Sequence, residues 1–193
     1  VMGLHAAFEI FVSGTQVTLP IIWTYLPVSL LYIGSMALGY LGLRYIELSV
    51  SSPICNSSGA LVAVLTLLFV GGDEYSPLAL FAILLVCAGA IGLGVVDATE
   101  DPELRAERQK DGNYKYAKSF LALALPVAYC LLDAAGTFAD NRVLETLTTQ
   151  AFDGGMFATL DECADYAAAA ANCAYELTFL AAAVFCFIYV VLI

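Results

Sequence analysis

One carboxylate stands inside a long apolar stretch of this chain. Asp133 lies in the stretch 119–139, which is otherwise rich in Leu, Ala and Val. A carboxyl group within a membrane span costs ~2.5–3.5 kcal/mol on insertion scales, and such residues usually have a function. Tyr129 and Thr137 lie four residues to either side, so a helix places all three on one face. This face predicts a substrate or proton site. The alternatives are an interhelical hydrogen bond and a carboxylate wetted near a helix end.

A second candidate pair lies near the start of the chain. His5 and Glu9 are four residues apart, so they share one helix face. Histidine changes charge near neutral pH, and a His–Glu pair can therefore relay protons. The alternative is a local stabilising pair near a membrane surface. Asn172 and Glu176 have the same spacing, and we interpret them as a helix surface at the membrane interface.

Polar residues also interrupt a later apolar stretch. Asn56, Ser57 and Ser58 begin three residues after Pro53. These side chains could hydrogen-bond a substrate in a cavity near the middle of the membrane. The alternative is hydrogen bonding between helices, which contributes ~0.6 kcal/mol on average.

The remaining reactive residues give no sign of an enzyme, a metal site or a cofactor. The sequence has six cysteines but no Cys-x-x-Cys motif or Cys/His cluster. Cys163 and Cys173 are ten residues apart, and on one helix they lie too far apart for a disulfide. A nucleophile elbow and a phosphate-binding loop are also absent from the sequence.

The elements that carry these residues are predicted to be membrane helices. Hydrophobic residues make up 61% of the 193 residues, and charged residues only 13%, against about 25% in soluble domains. The mean hydropathy is +0.85. A chain of this size leaves roughly 30% of its unfolded surface exposed after folding, so that surface must face lipid. The net charge of −11 lies mostly in predicted loops, and it does not indicate a nucleic-acid partner.

The sequence has several apolar runs of about 20 residues, which is enough to cross a bilayer as a helix. We therefore predict an all-α polytopic helical bundle. Thr159 and Glu162 match a helix capping box, and Ser35 and Gly39 have the small-xxx-small spacing of close helix contacts. We read the chain as an internal piece of a longer protein. The first part, 1–97, is expected to contain a partial span, 1–12, and three full spans, 20–43, 52–70 and 77–96. A charged linker covers 98–118. The last part, 119–193, is expected to contain two spans, 119–139 and about 172–193, with an acidic loop, 140–171, between them.

Three of these segments resemble the EamA-like family of the drug/metabolite transporter superfamily. The resemblance is carried by the run Leu-Gly-Tyr-Leu-Gly-Leu-Arg-Tyr-Ile-Glu-Leu-Ser-Val-Ser-Ser-Pro at 38–53, the apolar helix to Phe69, a short acidic hairpin, and the small residues of 88–94. The hairpin often carries Gly-Glu in the family and reads Gly-Gly-Asp-Glu here. The resemblance implies ten helices in two inverted five-helix repeats. This chain would then span the second to the seventh helix, with the linker between the repeats.

The membrane orientation has two opposed indications. Five of the seven basic residues lie in the linker, which predicts that the linker is cytoplasmic. The resemblance implies the opposite, because such transporters usually keep the N-terminus inside the cell.

The resemblance implies transport of a small organic metabolite or drug by alternating access in a multi-pass cell-membrane protein. The expected partners are the lipid bilayer and a small-molecule substrate, and the protein could form a homodimer. We expect transport to be coupled to a proton. The alternatives are a membrane-embedded enzyme acting on a lipid-linked substrate and a non-catalytic membrane scaffold subunit. The residues expected on the substrate path or in coupling are Asp133, Tyr129, Thr137, Asn56, Ser57, His5 and Glu9.

Overall fold

The computed structural model describes residues 2–43, 45, 48–71, 76–99 and 120–192, and this part of the chain contains helices and turns but no strand. The predicted all-α class is therefore confirmed for these residues. The predicted hairpin acids Asp73 and Glu74 and the linker beyond Thr99 lie outside them. The helices are α1 (Met2–Phe8), which continues into a π-helical turn (Glu9–Ser13), α2 (Leu19–Gly42), α3 (Leu48–Cys55), α4 (Ser58–Phe69), α5 (Pro77–Thr99), α6 (Phe120–Asp153) and α7 (Leu160–Leu192).

Three helical segments in the described part are long and apolar enough to cross a membrane. They are Leu19–Gly42, Ser51–Phe69 and Leu160–Leu192. Large apolar side chains on them point outward; Trp23 is 69% exposed and Phe185 is 75% exposed. Soluble proteins rarely expose contiguous apolar surface on this scale. The chain thus has the helices of a membrane-associated protein.

The structure differs from the sequence expectation between residues 140 and 171. That stretch was expected to be an acidic loop, but α6 continues to Asp153. α7 begins at Leu160, as the capping box at Thr159 and Glu162 predicts. Local interactions stabilise the polar end of α6. The Arg142 guanidinium pairs with Glu145 at 2.7 Å, and the hydroxyl of Thr149 donates to the backbone carbonyl of Glu145. Polar composition indicates contact with water, and a water-exposed segment can still be helical.

The turn between α6 and α7 ends in the predicted capping box. The backbone N–H of Glu162 donates to the Thr159 hydroxyl at 3.3 Å, and the backbone N–H of Thr159 donates to the Glu162 carboxylate at 3.2 Å. Each bond satisfies an N–H group that has no partner within the helix. Gly155 has φ +66°, a left-handed conformation that favours glycine in this turn.

We expect Thr159→Ala to lower the free energy of unfolding by about 1 kcal/mol, the usual effect of losing an N-cap side chain. Thermal unfolding of the detergent-solubilised protein measures the change. Thr146→Ala is the matched control, because Thr146 is exposed and its hydroxyl only donates to the Arg142 carbonyl within α6. Equal losses in the two variants would show that the cap has no special effect.

The helices pack in two compact units, Val1–Ile33 with Ala139–Ile193, and Gly34–Phe138. In the first unit, Tyr25 and Val28 of α2 form a buried cluster with Ala171 and Ala174 of α7. In the second unit, α5 packs against both α3 and α4. Ala171 and Ala174 are the small residues of this cluster, and the larger Tyr25 and Val28 side chains pack against them.

Candidate functional site

A cavity with a mixed, mainly apolar lining lies in the second unit, beside an interrupted helix. Its volume is about 250 Å³, and residues from the end of α2, from α3 and from α6 line it. Hydroxyl, amide and phenol groups mix in the lining with apolar side chains such as Met36 and Leu43. This mixture suits a small organic molecule that has polar and apolar parts. The polar lining residues are Tyr40, Ser51, Ser52, Asn56 and Tyr129.

The interruption between α3 and α4 falls within one candidate span, Ser51–Phe69, and side chains explain it. The Ser57 hydroxyl donates to the backbone carbonyl of Ile54 at 2.6 Å, and the Asn56 amide donates to the Ser52 hydroxyl at 3.1 Å. Such local bonds compete with the helical backbone ladder. In the sequence, the Asn-Ser-Ser run was a group of polar residues within one predicted span, 52–70, and the break in the helix was not predicted.

Asp133 lies close to the cavity on α6. Its carboxyl is half-buried and interacts electrostatically with Cys55 and Tyr129, two residues that line the cavity. Thr137 is also on this face, and its hydroxyl donates to the Asp133 backbone carbonyl at 3.0 Å. Leu131, on another side of α6, is 55% exposed. The structure therefore brings Asp133, Tyr129 and Asn56 to one region of the second unit.

Ser57 has a different environment from Asn56. It is buried, and its hydroxyl lies 3.4 Å from the Cys130 thiol of α6. This contact joins two helices of the same unit, as the helix–helix alternative for the Asn-Ser-Ser run expects. Asn56 is exposed and lines the cavity, so the two neighbouring residues take separate roles.

The other predicted pair belongs to the first unit. The His5 Nε2 atom lies 3.9 Å from a Glu9 carboxylate oxygen, and His5 Nδ1 lies 3.0 Å from a carboxylate oxygen of Glu176 on α7. Sequence reasoning placed Glu176 at a membrane interface beside Asn172. No local pattern shows that Glu176 faces His5, because this contact depends on how two distant helices align.

A buried hydrogen bond in the first unit was also missed from the sequence. The Tyr25 hydroxyl donates to the Asp140 carboxylate at 2.7 Å, and Tyr25 is only 4% exposed. The rings of Tyr32 and Tyr175 meet edge to face, with centroids 5.9 Å apart. Asp140 was expected in the acidic loop 140–171, and the extension of α6 beyond residue 139 places it beside α2.

Comparison with known proteins adds no relative to this description, because no family model, curated protein or solved structure matches the chain. Among the described residues, no group of three or more His, Cys, Asp or Glu side chains is placed to hold a metal ion. In the part of the chain that the structure describes, the fold defines the class: a helical protein with three segments long and apolar enough to cross a membrane.

Proposed function

We propose that this chain is part of a multi-pass membrane transporter that moves a small organic molecule by alternating access. The observation that carries the proposal is the cavity of the second unit, which has polar and apolar lining residues and lies beside the interrupted span Ser51–Phe69. Many transporters bind substrates where membrane helices are discontinuous, because irregular backbone is tolerated in a membrane only where it lines a cavity or is buried in protein.

The resemblance of segments 38–94 to the EamA-like family supports the same proposal from the sequence. On this proposal the chain carries the end of one inverted repeat and the beginning of the next, and it resides in the cell membrane. Asn56 and Tyr129 then contact the substrate. Asp133 is the coupling residue beside the cavity, because carboxyl groups within membrane spans often belong to proton relays.

A scaffold subunit is the second candidate, and the contact between Ser57 and Cys130 favours it. In such a subunit, polar residues within the membrane pair at helix contacts, as these two do. The two candidates differ at the cavity: a transporter uses it for a ligand, and a scaffold does not.

A ligand-stabilisation screen of the full-length protein tests the proposal. We expect a small organic compound to raise the thermal midpoint and to be carried into proteoliposomes. Stabilising compounds that all fail to cross the membrane would reject transport and favour the scaffold.

For the transported compound, we expect Asp133→Asn to slow uptake roughly fivefold, which equals about 1 kcal/mol, and to flatten its dependence on pH. Asparagine keeps the shape of the side chain and removes its change of charge. Asp161→Asn serves as the control, because Asp161 is an exposed acid in the first turn of α7. Wild-type uptake with an unchanged pH profile in Asp133→Asn would leave Asp133 with a structural role only.

A further inference from the structure

A histidine between two carboxylates joins α1 to α7 in the first unit. His5 Nδ1 lies 3.0 Å from Glu176 Oε1, which is hydrogen-bond distance. The other ring nitrogen lies 3.9 Å from Glu9 Oε1, within the range of an ion pair. The second oxygen of Glu9 already accepts a hydrogen bond from the Thr15 hydroxyl at 3.2 Å.

The two helices run antiparallel at this contact, and small residues make it close. A Cβ atom on Gly3 would come within 2.7 Å of the Leu180 side chain, and Ala6 is fully buried. Positions 3 and 5 of α1 thus meet positions 180 and 176 of α7. This packing places the His5 ring beside Glu176, although the His5 side chain is still 55% exposed.

Glu176 carries an unusual feature for a carboxylate. Its Oε2 atom is buried and has no hydrogen-bond partner, and only 14% of the side chain is exposed. An ionised carboxylate with a desolvated, unpaired oxygen is costly. A nearby positive charge on His5, or a proton on Glu176 itself, relieves that cost.

We propose that His5, Glu9 and Glu176 form a proton-binding site whose occupancy holds α1 against α7. With the proton bound, the imidazolium carries N–H groups toward both carboxylates and offsets their charges. After the proton leaves to water, two carboxylates face a neutral ring, and the contact weakens.

The thiol of Cys173 reports on this contact. Cys173 is 0% exposed, and it interacts electrostatically with both Glu9 and Glu176. It is the further titratable group that faces the site from α7. If α1 loosens, Cys173 becomes accessible to a small alkylating reagent.

The experiment compares alkylation of Cys173 by N-ethylmaleimide at about pH 6 and about pH 8, on either side of the range in which histidine titrates. The full chain is kept in nanodiscs. A reference cysteine replaces the exposed Gln150 of α6, and mass spectrometry reads both sites. In the wild-type background we expect the ratio of Cys173 to reference labelling to rise at least about threefold with pH, as local opening of α1 would produce.

His5→Gln should give a high ratio that varies little with pH. Glu176→Gln, whose neutral amide mimics the protonated carboxyl, should give a low ratio that also varies little with pH. Glu145→Gln is the control, because Glu145 is an exposed acid paired with Arg142 on α6, and it should keep the wild-type slope. If the ratio does not change with pH in the protein that carries only the reference cysteine, the proposal is rejected without any variant at the site. An unchanged slope in His5→Gln, or a ratio that follows sodium concentration at fixed pH, also rejects it. No transported compound is used, so the outcome is independent of the proposed transport function.

Discussion

Replacing Gly39 by leucine should reduce uptake by more than about tenfold, a loss of at least ~1.4 kcal/mol of transition-state stabilisation. Gly39 lines the cavity, and a Cβ atom built on it would lie 2.9 Å from Cδ2 of Tyr129, which lines the same cavity. A leucine side chain must therefore displace the Tyr129 ring or fill part of the 250 Å³ space. Both outcomes remove room that a substrate needs. Uptake into proteoliposomes measures the effect.

Two companion variants separate blockage of the cavity from general damage. Gly59→Leu makes the same substitution on α4, where an added Cβ atom meets nothing within 4 Å, so uptake should stay near the wild-type rate. Gly39→Ala adds only one carbon and should give an intermediate loss, since the ring must move by several tenths of an ångström. If Gly39→Leu folds and still transports at the wild-type rate, the cavity is not the substrate path.

Local patterns in the sequence were sufficient for the helices themselves. Apolar runs at 20–43 and 77–96 were predicted to be helical spans. The structure has helices at Leu19–Gly42 and Pro77–Thr99, and the first of them is a candidate membrane span. The sequence also predicted the capping box at Thr159 and the close helix contact at Gly39. Each of these features depends on residues a few positions apart, which a linear pattern records directly.

Contacts between helices that are far apart in the sequence could not be predicted from such local patterns. The pairing of His5 with Glu176, and of Tyr25 with Asp140, depends on the relative rotation and depth of helices far apart in sequence. The polar composition of 140–171 suggested a loop, although α6 continues to Asp153. Hydropathy distinguishes segments in lipid from segments in water, but it does not distinguish a helix from a loop. Because Asp140 is charged, it was expected in a loop, although its carboxylate accepts a hydrogen bond from the buried Tyr25.

Loss of that tyrosine hydroxyl should produce the largest change in stability. We expect Tyr25→Phe to lower the free energy of unfolding by about 1.5 kcal/mol, measured by denaturant or thermal unfolding in detergent. A typical hydrogen bond between membrane helices contributes ~0.6 kcal/mol. This bond should exceed that value because it is short, at 2.7 Å, and its acceptor is a carboxylate. Phenylalanine keeps the ring and its packing against Ala171 and Ala174, so the change isolates the hydroxyl.

The pairwise contribution follows from a double-mutant cycle with Asp140→Asn. The coupling energy between the two substitutions should exceed ~1 kcal/mol if the Tyr25 hydroxyl and the Asp140 carboxylate stabilise each other directly. Tyr189→Phe is the control for losing a phenol elsewhere on an apolar helix, because Tyr189 is 64% exposed and should tolerate the change. A coupling energy at or below ~0.6 kcal/mol would make this an ordinary interhelical hydrogen bond. In that case the packing of Val28 against the alanines of α7 would be the main source of stability in the first unit.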